Sequence, residues 1–287
     1  MNDYLLSVVL GVVEGLTEFL PVSSTAHLRI VQALVGVSLA DGYWKMFSIV
    51  IQLGAVACLP FYFRHRIAMF VAGLRAQGAR GWRRHPFTLT MIAFVCTAIP
   101  SLLLIKLIGR HLESLVVMGV ALIVGGIVMW VVDALSARDT PPVRTVQMET
   151  MSIAQAVWIG LCQTLSAVFP GTSRSMATIT AGQLAGMSRG AALEFSFFLS
   201  MPTMLAATLY DLLKALRHGE AGPLGSVHMT PHGWAVLGIG FAVSFVVAYG
   251  VVAWFMSWVR HRGFTPFALY RLAVGAAVLA WTLRGGA

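Results

Sequence analysis

Two carboxylates, three consecutive hydroxyl side chains and one imidazole occur within the fourteen residues EGLTEFLPVSSTAH, which begin at Glu14. Glu14 and Glu18 lie four residues apart, so a helix would place both carboxylates on one face. Two like charges this close in an apolar setting must share a proton or hold a cation. The pair is therefore a candidate site for a divalent cation, Mg²⁺ or Ca²⁺.

The residues after this pair predict the end of one helix and the start of another. Pro21 has no backbone N–H and ends the first helix. The candidate N-caps of the second helix are the hydroxyl residues Ser23, Ser24 and Thr25. His27 falls in the first turn of that second helix. A helix N-terminus combines free N–H groups with a positive dipole end, and this setting favours phosphate binding.

The composition is that of a polytopic membrane protein. Hydrophobic residues make up 58% of the 287 residues and charged residues only 11%, and the mean hydropathy is +0.81. The net charge of +9 is concentrated in short clusters, the largest of which is RHRIAMFVAGLRAQGARGWRRH between two apolar runs. The positive-inside rule accounts for such a cluster, so we expect no nucleic-acid partner. Transmembrane helices are predicted at about 46–63, 88–108, 114–134, 192–213, 233–259 and 266–284.

Two further apolar stretches are interrupted near their centres. Residues 4–36 contain Pro21 and residues 152–187 contain Pro170, each followed by a polar cluster. A single straight span does not tolerate this, because the freed backbone groups would face hydrocarbon. We therefore predict an all-α protein with about six transmembrane helices and two re-entrant helical hairpins, one from each interrupted stretch.

The two interrupted stretches also resemble each other. LGVVEGLTEFLPVSST aligns without gaps to IGLCQTLSAVFPGTSR, and the shared positions pair Gly11 with Gly160, Glu14 with Gln163, Pro21 with Pro170 and Ser24 with Ser173. This predicts one membrane domain, 1–287, built from repeats over 1–134 and 152–287. With the arginine-rich loop 64–87 in the cytoplasm, the hairpins enter from opposite faces. Such an inverted-topology repeat brings the tips of the two hairpins, the polar segments around Pro21 and Pro170, together near the membrane midplane.

The second tip, PGTSRSMAT, adds a permanent cation, Arg174. A guanidinium at membrane depth is costly unless it is paired, so it either binds an anionic ligand or pairs with an acid of the first tip. Gly171 allows a ligand to approach the backbone, Thr172 adds a hydroxyl, and Ser173 is a candidate N-cap. Together the two tips predict a site for a phosphate or diphosphate.

The chemical roles stay open between several groups. A cation held by Glu14 and Glu18 would relieve their repulsion of a phosphate. His27 is suited to act as a nucleophile, or as a general base towards Ser24 or water. The catalytic candidates are Glu14, Glu18, Ser24, His27 and Arg174. The candidates for substrate binding are Ser23, Thr25, Gly171, Thr172, Ser173 and Gln52, the last of which could equally bind a neighbouring helix.

Other residues are predicted to have structural roles. Tyr270 and Arg271 lie just inside the last predicted span, where snorkelling to the cytoplasmic surface is favoured. The G-x-x-x-G pair of Gly11 and Gly15 predicts close helix packing. The N-terminal residues MNDYLLSVVL lack a basic region and a cleavage pattern, so we expect no removable signal peptide.

The motifs ExxxEFLPVSSTxH and PGxSRSxxT resemble those of the bacterial undecaprenyl-diphosphate phosphatases of the bacitracin-resistance (BacA/UppP) type. The resemblance extends over nearly the whole chain and includes FSIVIQLGAV, EFSFFLSMPTM and FTPFALYR. One departure is Ala26, where the family usually has glycine. By motif position the family's site falls on Glu14, Glu18, Ser23, Ser24, Thr25, His27, Ser173 and Arg174.

The resemblance implies an integral-membrane hydrolase that converts undecaprenyl diphosphate to the monophosphate and so recycles the lipid carrier for peptidoglycan. It also implies a site that opens to the periplasmic side of the bacterial inner membrane, dependence on a divalent cation, and resistance to bacitracin. The expected partners are the lipid substrate and membrane lipids, and a homodimer is compatible with the sequence. A lipid flippase or secondary transporter is the alternative that an inverted repeat alone would favour.

Overall fold

The computed structural model describes residues 2–38, 41–76, 82–104, 114–138, 142–218 and 230–284. Within these ranges the fold is all-α, with one isolated bridge between Thr145 and Met187 and no other β-structure. The helices are α1 (Asp3–Thr17), α2 (Ser24–Leu34), α3 (Gly42–Tyr62), α4 (Arg64–Ala76), α5 (Pro86–Leu103), α6 (Leu115–Ala137), α7 (Ile153–Val168), α8 (Arg174–Leu184), α9 (Arg189–His218), α10 (Pro231–His261) and α11 (Thr265–Leu283).

Six of these helices are long and apolar enough to cross a membrane, over Gly42–Tyr62, Pro86–Leu103, Leu115–Ala137, Arg189–Asp211, Pro231–Val259 and Thr265–Leu283. They coincide with the six predicted spans to within a few residues, although residues 105–108 of one prediction lie outside the described residues. The chain is therefore a multi-pass, all-α membrane protein, as the length of its apolar runs predicts. Side chains at the boundaries, such as Asp41 and Ser114, cap the helices that follow them.

Both interrupted stretches form two short helices separated by a break. The breaks contain the two prolines, and the second helices begin after the N-caps Ser23 and Ser173. Their φ angles, 76° and 70°, are the positive values among non-glycine residues of the described chain. This conformation costs a serine about 1–3 kcal/mol. In each cap the hydroxyl oxygen accepts a hydrogen bond from the N–H three residues later, at 3.4 Å in the first and 3.3 Å in the second.

The positions of the two N-caps show that the gapless alignment of the two stretches is shifted by one residue after the prolines. That alignment pairs Ser24 with Ser173, whereas the structure gives the same cap role to Ser23 and Ser173. The second break holds one more residue between its proline and its cap. The first residues of the second helices, Ser24 and Arg174, are therefore the equivalent pair.

The two broken stretches begin at opposite ends of the bundle. At one end Asp3 of α1 pairs with His232 at the start of α10, with 3.0 Å between Oδ2 and Nε2. Tyr43, at the start of α3, donates a hydrogen bond to the carbonyl of Gly233 there. Beyond the far end of α3, Arg66 pairs with Glu149, four residues before α7 begins. The first helix of each stretch thus runs inwards from a different end.

The packing between the two halves is reciprocal, because α1 packs along α10 while α7 packs along α5. Gly11 and Gly15 face α10, where an added Cβ at Gly11 would lie 2.9 Å from the Gly240 carbonyl oxygen. An added Cβ at Gly160 of α7 would lie still closer to the carbonyl oxygen of Ala93. Close packing at the G-x-x-x-G pair is confirmed. The repeat boundaries and the partial insertion of each hairpin in the membrane stay predictions that this packing supports.

We expect Gly11→Ala to destabilise the protein by about 1–3 kcal/mol, because the new methyl group overpacks the contact between α1 and α10. Gly238→Ala is the matched control, since nothing lies within 4 Å of a Cβ at that position of α10. The measurement is thermal unfolding of both variants in detergent. Equal unfolding temperatures for the two variants would contradict the close approach of these helices.

Candidate active site

The Glu18 carboxylate joins the tips of the two broken stretches. Ser24, the first residue of α2, donates its hydroxyl proton to Oε2 of Glu18 at 2.6 Å. Arg174, the first residue of α8, donates from Nη2 to Oε1 of the same carboxylate at 3.3 Å. Glu18 is only 7% exposed, so this is a buried, charge-assisted contact. Of the two alternatives predicted for Arg174, the structure shows the pairing with an acid of the first tip.

The tips also contact each other through the residue that follows Arg174. Ser175 donates its hydroxyl proton to the carbonyl of Leu20 at 2.9 Å and lies 3.1 Å from the Ser173 hydroxyl. Arg174 makes a further hydrogen bond, from Nη1 to the carbonyl of Ser196 on α9. Its Nε is buried and has no hydrogen-bond partner. One N–H of the guanidinium is therefore available to an acceptor that enters the site.

Glu14 lies one turn before Glu18 on the buried face of α1, as the four-residue spacing predicts. It is fully buried, and within the described part of the chain neither of its carboxylate oxygens meets the geometry of a hydrogen bond, although Glu18 lies close enough to share a proton with it. The charged groups that act on it are Glu18 and Arg174. A buried, unpartnered carboxylate is costly, so the two acids would either share a proton or hold a divalent cation. No cluster of three or more His, Cys, Asp or Glu residues that could hold a metal ion occurs in the described ranges.

The imidazole of His27 is held at both nitrogens. Nδ1 lies 2.7 Å from the carbonyl oxygen of Ser23, and Nε2 lies 2.7 Å from the hydroxyl of Tyr270. A carbonyl oxygen can only accept, so we assign the proton to Nδ1, and Nε2 accepts from Tyr270. The structure thus pairs His27 with Tyr270 and pairs Ser24 with Glu18. No contact between His27 and Ser24 appears among these hydrogen bonds, so the arrangement does not support His27 as the base towards Ser24.

Arg271 corrects the prediction that Tyr270 and Arg271 snorkel to the surface. Its side chain is fully buried and donates hydrogen bonds to the carbonyls of Pro21 at 3.1 Å, Ala121 at 3.0 Å and Gly171 at 3.1 Å. Two of these carbonyls lie in the helix breaks, where they have no intrahelical partner. The hydrogen bonds offset the cost of burying the cation. The sequence did contain a sign of this buried role, because Arg271 lies several residues inside an apolar span.

The start of α11 is fixed by a third buried carboxylate, Asp133 of α6. Its Oδ2 accepts from the backbone N–H groups of Phe264 and Thr265, at 2.9 and 3.2 Å. Its Oδ1 accepts from Nε of Arg189 at 2.8 Å. A carboxylate at a helix N-terminus is stabilising. These contacts hold α11, and with it Arg271, at a fixed height against the tips.

The remaining predicted residues contribute less directly. Gly171 has a φ of 96°, and an added Cβ would lie 2.6 Å from the Met118 carbonyl oxygen, so its close backbone approach is to Met118. Thr172 lines an apolar groove of about 630 Å³ between α6, α7 and α8. Thr25 and Gln52 are half-buried. Their substrate-binding role stays a prediction.

Comparison with known proteins agrees with this arrangement. Residues 7–277 match the family described as Bacitracin resistance protein BacA. The chain belongs to this family. A relative in Koribacter versatilis is 66% identical over 99% of this chain and 100% of its own length. Relatives in Novosphingobium aromaticivorans and Caldanaerobacter subterraneus are 41% and 40% identical over 98% and 94% of this chain, and 98% and 93% of their own lengths. All three are named undecaprenyl-diphosphatase.

In this BacA-family protein we expect Arg271→Lys to lower the unfolding temperature in detergent. A single ammonium group cannot reach three carbonyls in the fixed geometry of a guanidinium, and each buried carbonyl left unpaired costs about 1–3 kcal/mol. Arg284→Lys is the control, since Arg284 is exposed at the end of α11. Unchanged unfolding of Arg271→Lys would show that these three contacts do not hold the tips.

Proposed function

We propose that this protein hydrolyses undecaprenyl diphosphate to undecaprenyl phosphate and inorganic phosphate. The observation that carries the proposal is the Glu18 carboxylate, which binds the Ser24 hydroxyl and the Arg174 guanidinium from two separate tips. A serine hydroxyl paired with a carboxylate base, beside a buried guanidinium, is an arrangement suited to phosphoryl transfer. Relatives up to 66% identical bear the name of this activity.

The diphosphate binds where the N-termini of α2 and α8 meet. The free N–H groups and positive dipole ends of these helices favour a phosphate. Arg174 supplies a permanent positive charge and its unpartnered Nε. Because the guanidinium already contacts Glu18, binding of the phosphate also orders the base beside it. Ser23 and Ser173, the N-caps of these two helices, border this position.

Ser24 is the nucleophile that the contacts favour. Its hydroxyl already donates to Glu18 at 2.6 Å, so Glu18 takes the proton as Oγ attacks the terminal phosphorus. The bond from this phosphorus to the bridging oxygen breaks, and undecaprenyl phosphate leaves. Attack of water on the phosphoserine then releases inorganic phosphate and restores the hydroxyl. His27 borders the same tip and is the second candidate for a direct role.

A divalent cation, Mg²⁺ or Ca²⁺, would be held by Glu14 with Glu18. Such an ion offsets the negative charge of the phosphates and polarises the phosphoryl oxygens when it is bound. The support is the burial of Glu14 and its two unpartnered oxygens. Without a cation, these carboxylates would repel the substrate.

The setting proposed for this activity is the bacterial inner membrane, with the site open to the periplasm and the product recycled as the lipid carrier for peptidoglycan. The support for this orientation is the arginine-rich segment that includes α4, which the positive-inside rule assigns to the cytoplasm. The isoprenoid tail lies between helices in contact with lipid. A homodimer would leave the site intact, because all the contacts described come from one chain.

We expect Arg174→Ala to lower phosphate release from a prenyl diphosphate in detergent by about 100- to 1,000-fold, as loss of a preorganised donor to a developing charge does. Arg284→Ala is the matched control and should keep the wild-type rate. A near wild-type rate in Arg174→Ala would contradict the proposed site. Exchange of lipid in vesicles without phosphate release would instead support a flippase or transporter.

Removal of divalent cations is expected to abolish phosphate release, and added Mg²⁺ or Ca²⁺ should restore it. The measurement is turnover in excess chelator, followed by titration with each ion. Glu14→Gln should weaken the response to the ion, because it removes a carboxylate that has no other partner. Full activity in excess chelator would refute the cation site and leave the serine chemistry standing.

A further inference from the structure

We propose that Tyr270 is a positioning residue that connects the apolar chain of the substrate to His27. This inference rests on the proposed function, since it assigns the place of the isoprenoid chain beside the same site. Tyr270 is 45% exposed, and its ring and its hydroxyl face different surroundings. The hydroxyl contacts the imidazole, while the ring forms part of an apolar groove.

The hydroxyl of Tyr270 fixes the orientation of the imidazole. It lies 2.7 Å from Nε2 of His27, and the two rings are nearly parallel, at 11° with 5.5 Å between their centroids. Because Nδ1 is held by the Ser23 carbonyl at the same time, the imidazole cannot rotate without losing a hydrogen bond. The contact therefore sets both the tautomer and the direction of the ring.

Tyr270 is itself held rigidly by its neighbour in sequence. Arg271 binds the carbonyls of Pro21 and Gly171, which fixes this turn of α11 against both tips. A hydroxyl carried by such a turn has little freedom to leave His27. This distinguishes Tyr270 from Tyr249, which is similarly exposed, at 39%, but contacts Tyr62 on another face of the bundle.

The ring of Tyr270 lines a groove of about 440 Å³ between α1, α10 and α11. The rest of the lining is almost entirely apolar and includes Leu16, Leu20, Trp254 and Phe267. Leu20 and Val22 of this lining belong to the tip that carries Glu18 and Ser24. The groove thus borders the tip that carries the polar site, and it meets His27 through Tyr270. An apolar chain attached to a diphosphate at that site could enter it.

The larger groove of about 630 Å³ is the competing location for the chain. It adjoins the second tip, whose helix α7 has Ala167 where the first stretch has Glu18 in the gapless alignment. Its wall includes Phe169, which is 47% exposed and so matches Tyr270 in size and exposure. The occupant that we assign to the smaller groove is the first part of the isoprenoid chain, since the acids and the imidazole lie on that side.

The test measures phosphate release by the full chain in detergent, with farnesyl diphosphate and the shorter isopentenyl diphosphate as substrates. Tyr270→Phe keeps the ring and removes the hydroxyl, so kcat should fall by about three- to tenfold on both substrates, the size of one hydrogen bond, with KM unchanged. Tyr270→Ala should in addition raise KM for farnesyl diphosphate and leave KM for the shorter substrate unchanged. Tyr249→Phe and Phe169→Ala should match the wild type.

A wild-type kcat in Tyr270→Phe would overturn the positioning role. A raised KM for farnesyl diphosphate in Phe169→Ala, with none in Tyr270→Ala, would assign the chain to the larger groove and overturn the proposal. The ¹⁵N NMR signal of His27, identified by its loss in His27→Gln, tests the hydrogen bond without any turnover. It should shift in Tyr270→Phe, and an unchanged signal would refute the contact. Absence of phosphate release in the wild type would defeat the proposed function, and the NMR comparison would still decide the contact.

Discussion

Backbone groups that a proline frees inside an apolar bundle must find partners within the protein, and this requirement shapes the centre of the molecule. The first helices stop at Thr17 and Val168, shortly before Pro21 and Pro170. The carbonyls in the two breaks cannot be hydrogen-bonded by water in the hydrocarbon of a bilayer. Arg271 meets this need at both breaks through a single guanidinium. The strained serines at the N-caps meet it at the N–H groups. The features that stabilise the breaks thus also assemble the site.

The same centre contains several buried charged side chains, each of which would destabilise the fold if it were buried without a partner. Glu18 is stabilised by Ser24 and Arg174, and Arg271 is stabilised by carbonyls. Within the described residues Glu14 has no cation or hydroxyl in hydrogen-bond contact, only the neighbouring acid Glu18, although it is the more deeply buried of the two acids. Burial of an unpaired carboxylate opposes stability. It is tolerated at a site whose ligands, a cation and a diphosphate, bring the missing partners.

The elements that the sequence predicts are those determined by local composition. The six spans follow from the length of the apolar runs, and the two breaks follow from prolines beside hydroxyl residues. Pairing of Arg174 with an acid of the first tip was one of two alternatives that the sequence left open, because a guanidinium in a bilayer needs an anionic partner. The roles of Ser23 and Ser173 as caps were predictable only in part, since the one-residue difference between the breaks is invisible in a gapless alignment.

The contacts that sequence reasoning missed join residues far apart in the chain. Arg271 binds Pro21 across 250 positions, and Tyr270 binds His27 across 243. Near a helix end, both residue types are more often directed to the membrane surface, so their local context predicted snorkelling. Only the tertiary packing of α11, held at Asp133, buries Arg271 and brings the hydroxyl of Tyr270 to His27.

Two broken helical stretches meet tip to tip in this protein and share one carboxylate and one guanidinium. Crystallography of the protein in a lipid phase measures this arrangement directly. We expect Glu18 within hydrogen-bond distance of both Ser24 and Arg174, and Arg271 in contact with the carbonyls of Pro21 and Gly171. Unbroken helices through both prolines, with Arg174 and Arg271 each paired elsewhere, would contradict this arrangement.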